Sequence, residues 1–144
     1  MMLLVAAVIL QAAGDPLAGT WAANLDKSQR DPNHQFTELT MRFEVTPDAV
    51  TLIYSGVNRA GHREASNVVL HPDGKEYPVS QAPGIMMVAT RTERRIETIA
   101  RRDGAVVGRG AYEVSADGKT LTATLSGADA SGKPFQQVIV FDRR

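Results

Sequence analysis

The sequence predicts an all-β domain, a closed antiparallel up-and-down β-barrel of about 8–10 strands. Three observations carry that expectation. No long stretch shows the helical apolar period, whereas runs with strand composition recur between turns rich in Asp and Gly. Most connections are of hairpin length, so sequential strands form a meander, and a meander loses its exposed edges by closing on itself. Finally, Gly19-Thr20-Trp21 opens the first strand and Phe141-Asp142-Arg143-Arg144 ends the last. An indole on one and a guanidinium on the other suggest a sheet whose ends meet. A β-sandwich is the alternative, but it needs long crossing connections between sheets.

The chain of 144 residues fits one domain. Met1 to Ile9 is apolar and uncharged. It falls short of the roughly 20 apolar residues a membrane-crossing helix needs, so no integral span is expected. Ala12-Ala13-Gly14 supplies small residues of the kind signal peptidase requires, and Asp15-Pro16 begins a polar segment. The expectation is a signal peptide over 1–14, a barrel over 15–144, and export to the periplasm or outside. No Lys or Arg precedes the apolar run, which departs from the usual signal pattern. The competing expectation for this run is a buried terminal strand or helix.

The first strand is followed by Asn24 to Gln35, a polar segment expected to be a long loop or short helical lid. Leu39, Met41, Phe43 and Val45 alternate with Thr40, Arg42 and Glu44, as in a strand with one face buried. Thr46-Pro47-Asp48 turns the chain, Val50 to Tyr54 returns it, and a loop runs through Asn58 and Gly61. Strands are expected over Glu64 to Leu70, Glu76 to Val79 and Ile85 to Thr90, with turns at His71 to Lys75 and Pro83-Gly84. Arg95 to Arg101 and Ala105 to Val114 flank the tight turn Arg102-Asp103-Gly104. After Ala116-Asp117-Gly118-Lys119 come Thr120 to Leu125, a loop over Ser126 to Lys133, and Phe135 to Phe141. A weak internal echo links Glu44 to Asp48 with Glu113 to Asp117, and Ser55-Gly56 with Ser126-Gly127.

Lys+Arg and Asp+Glu both number 16. That balance gives no long-range attraction to nucleic acid or anionic membrane. The chain has no cysteine, so disulfides and thiolate metal sites are excluded. His34, His62 and His71 lack metal-motif spacing, and no metal or cofactor is expected. No Gly-x-Ser-x-Gly occurs, and Glu97 with Arg95 or Arg101 reads as an ion pair rather than an acid–base pair. No residue is assigned a catalytic role.

Arg91, Arg94, Arg95, Arg101, Arg102 and Arg109 fall in one short stretch. A guanidinium inside a barrel pairs bidentately with a carboxylate, and Arg101 and Arg109 flank the Asp103-Gly104 turn as candidates. The competing expectation is that these arginines face outward around an apolar interior. Gly108 and Gly110 around Arg109 indicate a bend or a close backbone approach. Tyr54, Met87 and Tyr112 are the other candidate lining residues, with a filled core as their alternative role.

Leu17-Ala18-Gly19-Thr20-Trp21 resembles the opening strand of the calycin superfamily, which includes lipocalins, fatty-acid-binding proteins and avidin-like barrels. With Val114 to Lys119 and Phe141-Asp142, most of the chain after the signal resembles exported bacterial lipocalin-like proteins. The resemblance implies that Gly19 and Trp21 close one barrel end and that Arg143 or Arg144 packs over the indole. Such a contact is worth about 1–2 kcal/mol when partly desolvated. The chain lacks the cysteines of lipocalins and any obvious helix pair of the fatty-acid-binding branch. The function expected is non-catalytic binding of a small hydrophobic or amphipathic ligand in the lumen. The alternatives are a filled interaction module, or a small isomerase or cyclase with Arg109, Tyr54 or Glu97 as its polar group.

Overall fold

The computed structural model describes residues 14–32, 35–128 and 131–144. The signal segment expected over 1–14 therefore lies, apart from Gly14, outside the described residues, as does His34. Ten strands follow one another, and no helix occurs among the described residues. They are β1 (Gly19–Gln29), β2 (Phe36–Val45), β3 (Val50–Asn58), β4 (Arg63–Leu70), β5 (Asp73–Pro78), β6 (Ile85–Arg91), β7 (Arg95–Arg102), β8 (Ala105–Val114), β9 (Thr120–Ala128) and β10 (Pro134–Arg143).

Every pairing is antiparallel, in one strongly curled sheet of order β4-β3-β2-β1-β10-β9-β8-β7-β6-β5. The first and last strands pair directly, with Trp21 opposite Arg143. The full ring of ladders expected from the sequence is not formed, because β4 and β5 are unpaired edges. Side chains cross this seam instead: Ser66 Oγ donates to Gln81 Oε1 at 2.7 Å, and Gln81 Nε2 to Asn67 Oδ1 at 3.5 Å.

The period-2 pattern decides which face is inside. On β2, Leu39, Met41 and Phe43 are buried while Arg42 and Glu44 are exposed. The buried core gathers at one end, around Leu17, Trp21, Phe43, Val50, Leu70, Leu121 and Phe141. That end carries the β2–β3 and β8–β9 turns and the C-terminus. At the tight β7–β8 turn both Asp103 and Gly104 have positive φ, 50° and 80°, as a two-residue hairpin of primed type requires.

The polar segment after Trp21 departs from the loop or helical lid expected. Asn24 to Gln29 continue β1, with a large irregularity against β10 between Asn24 and Gln29. Side chains complete the ladder there: the Val140 N–H donates to Ser28 Oγ at 3.0 Å, and Ser28 Oγ donates to the Asn24 carbonyl at 2.7 Å. β1 pairs with β2 only over Gly19 to Ala22, so the polar half faces water on that edge.

Candidate functional site

One end of the barrel is sealed. Trp21 is fully buried, and its Nε1 donates to the Leu17 carbonyl at 3.2 Å. The Arg143 guanidinium lies 4.1 Å from the centre of the indole. It donates to the carbonyls of Gly118, Ala18 and Pro16 at 2.7, 2.8 and 2.7 Å, tying three chain segments together. Gly19 makes room for this clamp. Its φ is +122°, and a Cβ there would stand 2.8 Å from Arg143 Nη1. Arg144 contributes only its backbone N–H, to the Thr20 carbonyl at 2.9 Å, and is exposed.

Toward the opposite end the interior is not filled. A cavity of about 710 Å³ reaches from Met41, Leu52 and Ile139 to Gln35, Asn58 and Arg59 near the β1–β2 and β3–β4 connections. Such a volume lies within the range of small-molecule sites. Its walls are mostly apolar, with Leu39, Val68, Leu125 and Phe135 among them, and Tyr54, Thr98, Tyr112 and Gln137 supply the inner polar groups. Tyr112 packs edge-on to Phe43 at 5.7 Å and 70°. Burial, with a smaller effect from neighbouring Tyr54, pushes the Tyr112 phenol up to about 12. It is therefore a neutral hydrogen-bond donor at physiological pH.

Gln137 is the polar side chain that the sequence analysis missed. It is only 7% exposed, and its Oε1 is buried with no hydrogen-bond partner among the described residues. The signal was present: on β10, Phe135, Gln137, Ile139 and Phe141 share one parity, and Gln137 is the polar member of an apolar row.

Tyr54, Tyr112 and Arg109 border the cavity, but Met87 and Arg101 do not. Met87 packs against the apolar core. Arg101 donates from Nη1 to Glu76 Oε1 at 2.9 Å and is an ion-pair partner rather than a lumen cation. The neighbouring glycines show which way the Arg109 side chain points. A Cβ on Gly110 would meet Thr98 Oγ1 at 2.7 Å and Leu125 and Tyr112 at 3.4 Å, all cavity residues. Gly108 likewise points at Ala100, also a wall residue. Alternation then sends the intervening Arg109 side chain to the outer face, where it is exposed. It shares an outer groove of about 260 Å³ with Val88, Thr90 and Glu97.

Two more arginines of the same stretch have local partners. Arg95 bridges Glu97 at 2.8 Å and Glu113 at 3.1 Å, and Arg91 meets Asp15 at 3.0 Å. His71 stacks on Tyr77 at 4.3 Å. Among the described residues no cluster of metal-ligating side chains forms, and no helix is long and apolar enough to cross a membrane.

No protein-family model matches this sequence, and no curated protein matches it. Solved structures do match. Wild-type fluorescent protein UnaG superposes with a TM-score of 0.60 at 16% identity, over 89% of this chain and 97% of that one. Zebrafish ileal bile acid-binding protein, complexed with cholic acid, gives 0.54 at 12% identity over 90% and 99%. Rv2717c from M. tuberculosis gives 0.51 at 20% identity over 92% and 96%. At such identities the likeness concerns architecture, and with ten up-and-down strands around an open interior the chain has the fold of the calycin-like β-barrels.

Proposed function

We propose that this protein binds a small hydrophobic or amphipathic molecule inside its barrel. The observation that carries this is the cavity of about 710 Å³, walled mainly by apolar side chains and reaching one end of the barrel. A filled core would bury more apolar surface, so leaving this space costs stability that a ligand's apolar surface restores. The bile acid-binding protein of the same architecture holds cholic acid, which supports an amphipathic occupant.

Binding of the neutral dye N-phenylnaphthylamine, followed by its fluorescence, tests this. Wild type is expected to bind about one equivalent. Leu125→Trp, which puts an indole into the cavity, is expected to abolish binding while retaining the fold. Equal binding by both proteins would place the dye elsewhere and refute the proposal.

The same proposal includes export. Asp15, the first residue after the expected cleavage point, is held in place: its carboxylate receives the Leu17 N–H at 3.0 Å and pairs with Arg91. Removal of 1–14 would leave these contacts in place. Mass spectrometry of the protein expressed from the full sequence should find a chain starting at Asp15 outside the cytoplasm. An intact cytoplasmic chain would contradict it.

A further inference from the structure

The inner wall of the cavity is polar at a few points and carries no inward-directed charge among the described residues. Of the charged residues bordering it, Arg109 projects to the outer face, while Arg59 and Glu64 are exposed at the mouth. There Glu64 Oε1 accepts from Asn58 Nδ2 at 3.0 Å. Arg101, the other expected carboxylate partner, is taken by Glu76 outside the lumen. What the interior offers instead is the unpartnered acceptor Gln137 Oε1, on a side chain more than nine-tenths buried, and the hydroxyls of Tyr54, Tyr112 and Thr98.

We propose that the lumen selects an uncharged amphipathic ligand, an alcohol or amide, whose O–H or N–H donates to Gln137 Oε1 beneath an apolar tail. This rests on the ligand-binding function proposed above and narrows its ligand class.

The selectivity follows from what each head group would meet. A carboxylate drawn into the lumen loses its hydration and finds no cation. It also has no hydrogen to give Gln137 Oε1, so that acceptor stays unpaired. An alcohol satisfies the orphaned acceptor, and its own oxygen accepts from a phenol that stays protonated. A primary amide fits in the same way, its N–H donating and its carbonyl accepting. Buried polar groups in native folds are nearly always paired, so an orphaned acceptor on a side chain that lines a cavity marks where a partner belongs.

Dodecanol, dodecanamide and dodecanoate share one tail and differ in the head group. Their affinities are to be measured by displacement of N-phenylnaphthylamine at mildly alkaline pH, from wild type and from Gln137→Leu. Wild type is expected to bind the alcohol and amide at least about tenfold tighter than the acid. Gln137→Leu is expected to reduce that preference about tenfold or more, with the thermal transition confirming that the variant is folded. Dodecanoate binding as tightly as dodecanol, or an undiminished preference in Gln137→Leu, would overturn the proposal. Either result leaves lumen binding intact. Failure of wild type to bind the dye or any of the three would instead refute the broader function.

Discussion

Gln137 sets stability against function on one side chain. Its buried, unpartnered Oε1 penalises the ligand-free protein, and replacing such a group with an apolar one of similar shape removes the penalty. Gln137→Met is therefore expected to raise the ligand-free melting temperature by a few degrees, a gain of about 1 kcal/mol or more. A lowered transition would mean that the amide is satisfied in the free protein. At the sealed end the expected sign is opposite. Gly19→Ala forces a side chain into left-handed backbone and against Arg143, and equilibrium denaturation should show a loss of about 2 kcal/mol or more. Tyr112 adds a pH dependence. Because the folded phenol titrates at about 12 rather than 10.0, the unfolded chain releases its proton first. This residue's contribution is thus full below pH 10 and is lost between 10 and 12, on the order of 2–3 kcal/mol. The Asp73 carboxylate also raises the Tyr77 phenol, so phenolate absorbance should show late-titrating tyrosines, of which the one near 12 disappears in Tyr112→Phe.

At the scale of elements, legibility depended on whether side chains revealed the strand's phase. β2 was readable because its apolar and polar residues alternate without interruption, and the buried set is the one the pattern picks out. β8 was not, because Gly108 and Gly110 flank Arg109 and carry no side chain to declare the inner face. Only their positions against Ala100 and Thr98 fix that Arg109 points outward. A register shift between Ala100 and Arg101 further obscures the neighbouring phase. The second half of β1 was hidden for another reason. Its polar composition resembles a loop, yet Ser28 and Asn24 use side-chain groups to hold it to β10, the latter through Asp142 at 3.1 Å. The internal echo has a structural counterpart. A Cβ on Gly56 would meet the Glu38 carbonyl at 2.8 Å, and one on Gly127 the Val107 carbonyl at 2.5 Å. Both glycines permit close backbone approach at matching places in the β2–β3 and β8–β9 hairpins.

For the whole molecule, the division into a sealed and an open end organises the rest. The Trp21–Arg143 clamp and the large buried side chains fill one end, and the cavity occupies the other. The sequence indicated the sealed end, because Gly-x-Trp and the terminal arginines are local patterns. It did not locate the seam between β4 and β5, since an unpaired edge is defined by strands that fail to meet rather than by a motif. Nor did it reveal that the interior is open, because cavity volume is a sum over many side chains from distant strands. The most direct measurement is therefore of a ligand in place: intermolecular nuclear Overhauser effects between bound dodecanol and the labelled protein. The account predicts contacts from the alkyl tail to the methyl groups of Leu52, Leu125 and Ile139, and from the hydroxyl-bearing carbon to the Gln137 amide. Contacts confined to exposed residues such as Val69 and Val106 would contradict it.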